Sequence, residues 1–358
     1  MKQLIFIVLL LLVACSTQTE QITIGGLHTL SGNLVDVLGG SAHGIHMAIE
    51  DFERETGIAV RAIDEDDKSC TDKTNAANKL INFDKVDAIV GTTCSSMTLS
   101  VAPMTEAAKI LLVTGVSTSA AISEAGDYIF RTIPSDATKS VKVAEEIIAN
   151  GYSRVGFLYA NGNDAIVDGI QGVKEHLPST YVVADEPVTD DEADFRTSLL
   201  KVMNKKPDVL VISFSDSRQF GLVMKQYDEL GLAKLPTYVP IETIENDLVL
   251  EVGGKSVEGL LYPYFKEPEG AAYESFRARY KAKYGVDVPA YAAEAYDAAM
   301  ITLKALAQSS SGEDAREQMF VIGNNYPGVS GTITFDETGD VHKPLVMKTI
   351  KNGAFVHA

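Results

Sequence analysis

Two short turns rich in hydroxyl groups are the residues of this sequence best suited to hold a small anion. Ser95 and Ser96 follow one buried apolar segment, and Ser117 and Thr118 follow the next. Each turn leads into a helix, whose N-terminus offers free backbone N–H groups and a partial positive charge. The turns are therefore a candidate cradle for a carboxylate. Serines that merely cap their helices explain the same pattern, and on these residues alone that simpler interpretation is favoured.

Two carboxylates stand at comparable places further along the chain. Asp164 follows two asparagines at the end of another apolar segment, and Glu242 lies among Pro240, Ile241 and Ile244. A carboxylate in an apolar loop is costly unless a cation satisfies it. That cation is either a ligand ammonium or a surface lysine, and the residues themselves favour neither.

The elements that must position these groups alternate regularly along the chain. Residues 22–24, 60–63 and 86–90 predict strands, and the segments between later strands have the apolar spacing of helices. Strands separated by helices of 10 to 15 residues predict parallel sheets covered by helices on both faces. The glycine-rich segment 25–44 is predicted as a turn and loop. The series restarts near residue 135, so we expect two doubly wound α/β units, which bind ligands at the carboxyl ends of their strands.

Composition narrows the class of partner. The chain has 358 residues, enough for two domains, and 46% of them are hydrophobic, enough for a substantial core. Its net charge is −18 and its pI about 4.7. Nucleic acid and anionic lipid surfaces reward clusters of Lys and Arg, so neither is expected as a partner.

The N-terminal segment predicts export. Lys2 precedes an apolar run over residues 4–14, which is too short to span a membrane and has the form of a secretory signal. The sequence Leu-Val-Ala-Cys at residues 12–15 resembles the lipobox of prokaryotic lipoproteins. That resemblance implies a lipid-modified Cys15 that tethers the exported protein to a membrane surface, with residues 1–20 as signal and tether. An ordinary secretion signal with an incidental cysteine is the alternative.

Two further cysteines, Cys70 and Cys94, make an even pair in a chain bound for an oxidising compartment. A bridge would close a loop of about 25 residues and contribute roughly 3 kcal/mol in the chain-entropy model. Two free buried cysteines are the alternative. Neither cysteine has a second Cys or a His at ligand spacing, so no metal and no cofactor is expected.

Several motifs, in order, resemble the branched-chain amino-acid binding proteins, which are the extracytoplasmic solute receptors of ABC importers. They cover nearly all of the chain that follows the signal. The matching segments are Leu30-Ser31-Gly32, Asp66 to Cys70, Ala76 to Ile81, Ile89 to Ser96, Phe130-Arg131-Thr132, Pro289-Ala290-Tyr291, Ala295 to Ala299 and Gly328 to Asp340.

The resemblance implies the type I periplasmic-binding-protein fold, in which two Rossmann-like lobes are joined by three hinge strands. It places the crossings near Pro134, near Tyr262 to Tyr264 and near Thr332 to Phe335. The first lobe would then hold residues 21–134 and 263–331, and the second lobe residues 135–262 and 332–358. It also implies a Cys70–Cys94 disulfide.

The resemblance further implies the ligand contacts. In the family, a serine after the second cysteine and a small-residue turn on the next strand hold the ligand carboxylate. These positions fall on Ser95, with Ser96 beside it, and on Ser117 with Thr118, while the ammonium-binding carboxylate falls on Glu242.

Departures from the family bear on specificity. Relatives specific for leucine or isoleucine surround the ligand side chain with aromatic residues. This chain has Leu38 and Asp164 instead, and Glu294 lies close to a position that is often bulky and apolar. A carboxylate is poorly placed against an aliphatic group. We therefore expect an amino acid or a related small amide or amine as the ligand, rather than plain leucine, bound at Asp164 among the other contacts.

Two other classes of function remain open. A membrane-tethered sensor that takes no part in transport is compatible with the same fold and lipobox. For a role in import, we expect the protein to be a monomer that delivers its ligand to permease subunits. An exported α/β hydrolase is less compatible, because no Gly-x-Ser-x-Gly motif occurs. His43 and His46 lie three residues apart on a helix without a third metal ligand at suitable spacing.

Overall fold

The computed structural model describes residues 21–32, 35–71, 74–189, 191–241 and 244–358. The predicted signal with Cys15, and the predicted ligand residue Glu242, lie outside these ranges. Among the helices that the described ranges contain, none combines the length and apolar character that a membrane crossing requires.

The first lobe is built on a five-stranded parallel sheet with the strand order β2-β1-β3-β4-β5. Four helices are interleaved with these strands, and a 3₁₀ helix at Ala120–Glu124 follows β4. The elements are β1 (Ile22–His28), α1 (Val35–Leu38), α2 (Gly40–Thr56), β2 (Val60–Asp66), α3 (Asn75–Asn78), β3 (Ala88–Gly91), α4 (Ser95–Ala108), β4 (Leu111–Thr114) and β5 (Ile129–Arg131).

The second lobe begins after β5 and repeats the alternation around a second sheet. Its elements are α5 (Ala137–Ala149), β6 (Val155–Ala160), α6 (Asp164–Glu175), β7 (Val182–Val188), α7 (Arg196–Met203), β8 (Val209–Ser213), α8 (Ser217–Glu229), β9 (Thr237–Tyr238), α9 (Asp247–Gly253) and β10 (Leu261–Phe265).

The remaining elements are shared between the lobes. Three helices and a short hairpin come first, and two long strands end the chain. They are α10 (Ala271–Tyr284), α11 (Ala292–Leu306), α12 (Gly312–Ile322), β11 (Tyr326–Gly328), β12 (Gly331–Ile333), β13 (Leu345–Lys351) and β14 (Ala354–His357).

The second sheet is mixed rather than wholly parallel. Its order is β14-β13-β10-β9-β8-β6-β7, and β13 and β14 pair antiparallel at one edge. The turn between them is Asn352-Gly353, and both residues have positive φ, of 55° and 70°. Such a two-residue turn matches the twist of a hairpin, so the antiparallel edge is explained by the local sequence.

Helices cover both faces of each sheet, as predicted. In the first sheet, Val90 and Val113 pack with α2 and α11, while Ile89 and Leu112 face α3 and α4. Successive residues of a strand point to opposite faces, so strands buried on both faces are apolar throughout. In the second sheet, alternate residues of β6 and β8 pack in the same way against α7 with α8 and against α5 with α6.

The prediction of a turn and loop over residues 25–44 is wrong at both ends. Strand β1 continues through Gly25 and Gly26 to His28, and helices occupy much of the remainder. Both glycines lie where a side chain would collide. A Cβ on Gly25 would lie 2.9 Å from Leu80 Cδ1, and one on Gly26 would lie 2.2 Å from Asp64 Oδ1. Glycine here permits close packing within a strand rather than a turn.

The sheets show where the chain passes between lobes. Strand β10 stays in the second sheet as far as Phe265, and Phe276 of α10 then packs in the core of the first lobe. Phe335 and Val341 also pack in that first core, before β13 joins the second sheet at Leu345. These contacts fall close to the predicted second and third crossings, and the division into domains stays a prediction.

Candidate functional site

The two hydroxyl-rich turns lie side by side because β3 and β4 are neighbours in the first sheet, with Val90 opposite Val113. Ser95 is the first residue of α4, and its Oγ accepts a hydrogen bond of 3.1 Å from the backbone N–H of Ser119. Ser96, the next residue of the helix, is exposed. The structure thus brings Ser95 into contact with Ser119, the residue that directly follows the second predicted turn, at the N-terminus of α4.

Ser117 is committed to a buried network of hydroxyl groups. Its side chain is 2% exposed, and its Oγ donates to Thr92 O at 3.1 Å and accepts from Thr98 Oγ1 at 2.7 Å. Its backbone N–H donates to Thr114 Oγ1 at 3.1 Å. Because every bond runs within the first lobe, this hydroxyl holds the turn in shape.

Thr118 points toward the first crossing between the lobes. Its Oγ1 donates to Asp136 Oδ2 at 2.7 Å, and its carbonyl accepts from the Asp136 N–H at 2.8 Å. The other oxygen of Asp136 lies 2.8 Å from Lys139 Nζ, which is itself 4.2 Å from the ring centre of Phe265. Burial lowers the pKa of Lys139, which Asp136 opposes. Thr118 therefore couples the cradle to an ion pair at the lobe junction.

Arg131 holds the turn that follows β4 in place. Its buried guanidinium donates twice to Asp340, with both distances 2.5 Å, and also to Ser119 O at 2.7 Å and to Ser123 Oγ at 2.6 Å. This bidentate geometry is the strong form of an Arg–carboxylate pair. It fixes the segment after β4 to the segment that returns to the second lobe.

A disulfide joins Cys70 and Cys94, as the resemblance implies, with their Cα atoms 6.0 Å apart. Cys94 is the residue that precedes α4. Beside it, Asp67 is fully buried and accepts hydrogen bonds from Thr29 Oγ1 and Thr93 Oγ1 at 2.8 and 2.5 Å. The bridge and these hydroxyls brace the start of the cradle helix.

The second lobe faces this wall with the start of α6. Asp164 is the first residue of α6, and Asn163 caps that helix by accepting from the N–H of Ala165 and of Ile166 at 3.0 and 3.4 Å. The segment that carries the other predicted residue, Glu242, is flanked by Ile241 and Ile244, which are both buried.

One cavity of 260 Å³ lies between the lobes at this place. Ser119 and Ala120 of the first lobe line it, and α6 of the second lobe forms the opposite wall. Three carboxylate residues, Asp136, Asp168 and Glu175, contribute to its lining, and no Lys or Arg among the described residues does.

A second cavity, of 350 Å³, opens where β10 leaves the second lobe, and we call it the tyrosine cavity. Three tyrosines and Phe265 line it together with two glutamates. Tyr264 and Phe265 come from β10, Tyr273 from α10, and Tyr291 and Glu294 from the start of α11. Glu267 and Lys266 lie at its exposed side, where Lys266 Nζ pairs with Glu269 at 2.5 Å.

Sequence reasoning assigned no role to several residues of these walls. Asp136 and Lys139 were not singled out, Tyr264 was named only at a predicted crossing, and Arg131 and Tyr291 appeared only within motifs. One available signal is the tyrosine of Pro289-Ala290-Tyr291 directly before a helix. Pairs such as Arg131 with Asp340 are separated by 209 residues, and no local pattern reveals them.

His43 and His46, which were considered for metal binding, each hydrogen-bond to another side chain. His46 Nε2 lies 2.8 Å from Asp64 Oδ2, and His43 Nδ1 lies 3.0 Å from the hydroxyl of Tyr280. His43 also stacks on Tyr284 with ring centres 4.0 Å apart. Within the described part of the chain, no group of three His, Cys, Asp or Glu residues is arranged to hold a metal ion.

Known proteins share the two-lobed fold of this chain. A family model described as "Periplasmic binding protein" matches residues 21–354 of the chain. The Leu/Ile/Val-binding protein homolog 3 of Brucella melitensis is 23% identical over 341 residues, which are 92% of this chain and 91% of that protein.

Solved structures are similar over the same extent. A leucine-binding protein from Thermotoga maritima is 25% identical, with a TM-score of 0.73 over 94% of this chain and 97% of that one. A solute-binding protein of an ABC transporter from Rhodopseudomonas palustris, in complex with 3,4-dihydroxybenzoic acid, is 23% identical. Its TM-score is 0.71 over 94% of this chain and 95% of that one. Proteins of this fold thus bind ligands of different chemistry. The fold therefore does not determine the class of ligand, which depends on the residues that line the cleft.

Proposed function

Because the chain belongs to the periplasmic binding protein family, we propose that it is an extracytoplasmic receptor that delivers a small ligand to an ABC importer. The ligand is an amino acid or a related small amide or amine. The family match over residues 21–354 carries this proposal, and the family consists of binding proteins rather than enzymes. The cleft between the lobes supports it, because its cavity of 350 Å³ falls at the lower end of the range of about 300–1,000 Å³ for small-molecule sites, and the neighbouring cavity of 260 Å³ is only slightly smaller.

The cradle wall supports capture of a carboxylate. The Ser95 hydroxyl accepts from Ser119, and within the described residues its own proton has no acceptor. Together with exposed Ser96 at the N-terminus of α4, it is available to an anionic group. Ser117 and Thr118 contribute by shaping the turn, because their hydroxyls are already bonded within the protein.

The second lobe supplies the opposite contacts in this proposal. Glu242 is proposed to pair with the ligand ammonium, and Asp164 to contact the ligand from the start of α6. A ligand held by Ser95 on one lobe and Glu242 on the other favours the closed arrangement of the lobes, because closure adds contacts that the open form lacks. The mechanism is a population shift without covalent chemistry.

The location of the receptor follows from its N-terminal segment. Lipid attached to Cys15 is proposed to hold a monomer at the membrane, beside the permease subunits that accept its ligand. A single lipid chain gives marginal anchoring, whereas two or more chains anchor stably. Labelling with a fatty-acid analogue tests this element, and a Cys15→Ala variant that still takes up label would overturn it.

A thermal-shift screen tests the receptor proposal directly. The full-length chain is heated with each amino acid, with small amides and with diamines. A ligand present at 100 times its dissociation constant stabilises the folded state by about 2.7 kcal/mol, which moves the melting temperature visibly. A flat response to every amino acid, amide and amine would contradict the proposal.

A further inference from the structure

The tyrosine cavity contains polar groups that the protein itself leaves unsatisfied. Among the described residues, no group hydrogen-bonds to the hydroxyls of Tyr264, Tyr273 or Tyr291. The carboxylate of Glu294 also has no hydrogen-bond donor there, although its side chain is only 18% exposed. These four half-buried groups are left to solvent rather than to protein partners, so they are available to hydrogen-bond a ligand that enters the cavity.

The nearest cation does not satisfy Glu294. Lys343 Nζ lies 3.8 Å from Glu294 Oε1, beyond hydrogen-bonding distance, and instead donates to Ser330 Oγ at 2.7 Å. Lys348 Nζ lies 4.0 Å from the ring centre of Tyr264, but Glu245 compensates its charge at 2.6 Å. The other lysines at the cavity, Lys266 and Lys139, are paired with Glu269 and Asp136. The cavity therefore keeps an anionic character after all four lysines are counted.

Glu294 acts on all three tyrosines at once. Burial raises the pKa of Tyr264, Tyr273 and Tyr291, and the negative charge of Glu294 adds to the rise at each of them. The phenols therefore stay protonated at physiological pH. Neutral aromatic faces beside a carboxylate are the combination that attracts an organic cation.

The backbone at Tyr291 is held in an uncommon conformation that places this ring at the cavity. Its φ is 67° and its ψ is −8°, in the left-handed region that bulky residues rarely adopt. Such conformations are energetically unfavourable and concentrate at ligand sites. Helix α11 starts at the next residue, so Tyr291 and Glu294 project from the same first turn.

From these observations, and resting on the receptor function proposed above, we propose that the ligand carries a second cationic group, an ammonium or guanidinium, that the tyrosine cavity binds. The ligand is then a basic amino acid or a diamine of similar length. Asp136 accepts from Thr118 of the cradle turn and pairs with Lys139, whose Nζ lies 4.2 Å from the ring centre of Phe265 in the cavity wall. The cavity is therefore the side-chain end of the same cleft.

A neutral aliphatic ligand would fit this cavity poorly. It would remove water from the Glu294 carboxylate and from three phenol hydroxyls without offering them a partner. Sites built to hydrogen-bond a ligand group discriminate strongly against analogues that lack that group. A ligand with a terminal carboxylate or phosphate would be repelled by Glu294.

Lysine and norleucine test this inference, because they differ chiefly by the terminal ammonium. Titration calorimetry on the full-length chain should show that lysine or arginine binds at least about 30-fold more tightly than norleucine, as expected when a charge pair is lost. Glu294→Gln should reduce that preference to less than about fivefold, because the amide keeps the shape and removes the charge. Glu313→Gln is the matched control, since Glu313 lies in the first turn of α12, is exposed, pairs with Lys109 and does not line the cavity.

The outcomes separate the inference from the receptor function. Equal affinity for lysine and norleucine, or a preference that survives Glu294→Gln, would overturn the second cationic site while leaving an amino-acid receptor. Failure of every amino acid and diamine to bind would overturn both. A purely structural role for Glu294 would alter the melting temperature of the variant without changing the ratio of the two affinities.

Discussion

Helix α11 carries two carboxylates one turn apart, Glu294 and Asp297, and the protein treats them in opposite ways. Asp297 is fully buried and accepts from the N–H of Val329 at 2.9 Å and from the N–H and hydroxyl of Ser330 at 2.8 and 2.6 Å. Glu294 faces the tyrosine cavity and has no donor among the described residues. Asp297 thus holds the β11–β12 hairpin in place, whereas Glu294 is left without a donor and is the carboxylate proposed to bind the ligand.

The same contrast separates the two walls of the cleft. On the cradle side, the hydroxyls of Thr98 and Ser117 are bonded to each other at 2.7 Å. On the cavity side, those of Tyr273 and Tyr291 are free within the described residues. A group that is already satisfied fixes a shape, because removing its partner costs the full desolvation penalty. Replacing a group that has no partner in the protein should change the stability of the fold little. The same group can contribute to ligand binding, because a ligand can supply the missing hydrogen bond.

The largest effect is expected on replacing Arg131, whose buried guanidinium donates four hydrogen bonds within the protein. Arg131→Met should lower the free energy of unfolding by about 3–5 kcal/mol, because it leaves Asp340 buried without its cation. Urea unfolding followed by circular dichroism measures the loss.

Arg277→Met is the control for the removal of an arginine as such. Arg277 pairs with Glu274 at 3.5 Å, and both side chains are more than half exposed. Surface pairs of this kind contribute about 0–1 kcal/mol, so the two variants should differ several-fold. Equal effects would show that burial of the Arg131 pair does not matter as described.

Asp297 gives an intermediate effect that depends on pH. Burial raises its pKa to about 6, although the donors from Val329 and Ser330 and the charge of Lys343 oppose the rise. Since this pKa lies above the unfolded value of 3.8, the contribution to stability is complete only below pH 3.8, and it is lost as the pH rises from there through 6. A rise of about 2 units corresponds to about 3 kcal/mol.

Asp297→Asn isolates that contribution, because asparagine has the same shape and does not titrate. The free energy of unfolding of the wild type, minus that of Asp297→Asn, should fall by about 2 kcal/mol between pH 4 and pH 7, because the unfolded carboxyl is already more than half ionised at pH 4. Urea unfolding at both pH values measures this difference. A difference that stays constant with pH would mean that the buried carboxylate keeps its ordinary pKa.

Much of the fold could be predicted from the sequence, because its strands are apolar runs separated by helices of regular spacing. The prediction was wrong at Gly25 and Gly26, where two glycines indicate a turn by composition but serve close packing under Leu80 and beside Asp64. The antiparallel edge formed by β13 and β14 has a local signal in Asn352-Gly353. That signal predicts a hairpin but not the sheet that the hairpin joins.

The site could be predicted only in part. The turns with Ser95 and Ser117 were found because strand order brings them together, yet the direction of the Ser117 hydroxyl depends on Thr92 and Thr98. The tyrosine cavity draws its walls from β10, α10 and α11. Its aromatic residues have ordinary local contexts, so only the packing of the lobes reveals that Glu294 stands among them.

The smallest predicted effect on stability is that of Glu294→Gln, and it sharpens the contrast with Asp297 most directly. The substitution removes a 3.8 Å attraction to Lys343 and a favourable charge in the first turn of α11. It also removes the cost of holding a carboxylate away from water, so the free energy of unfolding should change by less than about 1 kcal/mol. Urea unfolding at pH 7 measures it beside Arg131→Met, whose loss should be several times larger. If Glu294→Gln instead lowered the free energy of unfolding by several kcal/mol, Glu294 would resemble Asp297. Its partner would then be a group of the protein and not a ligand.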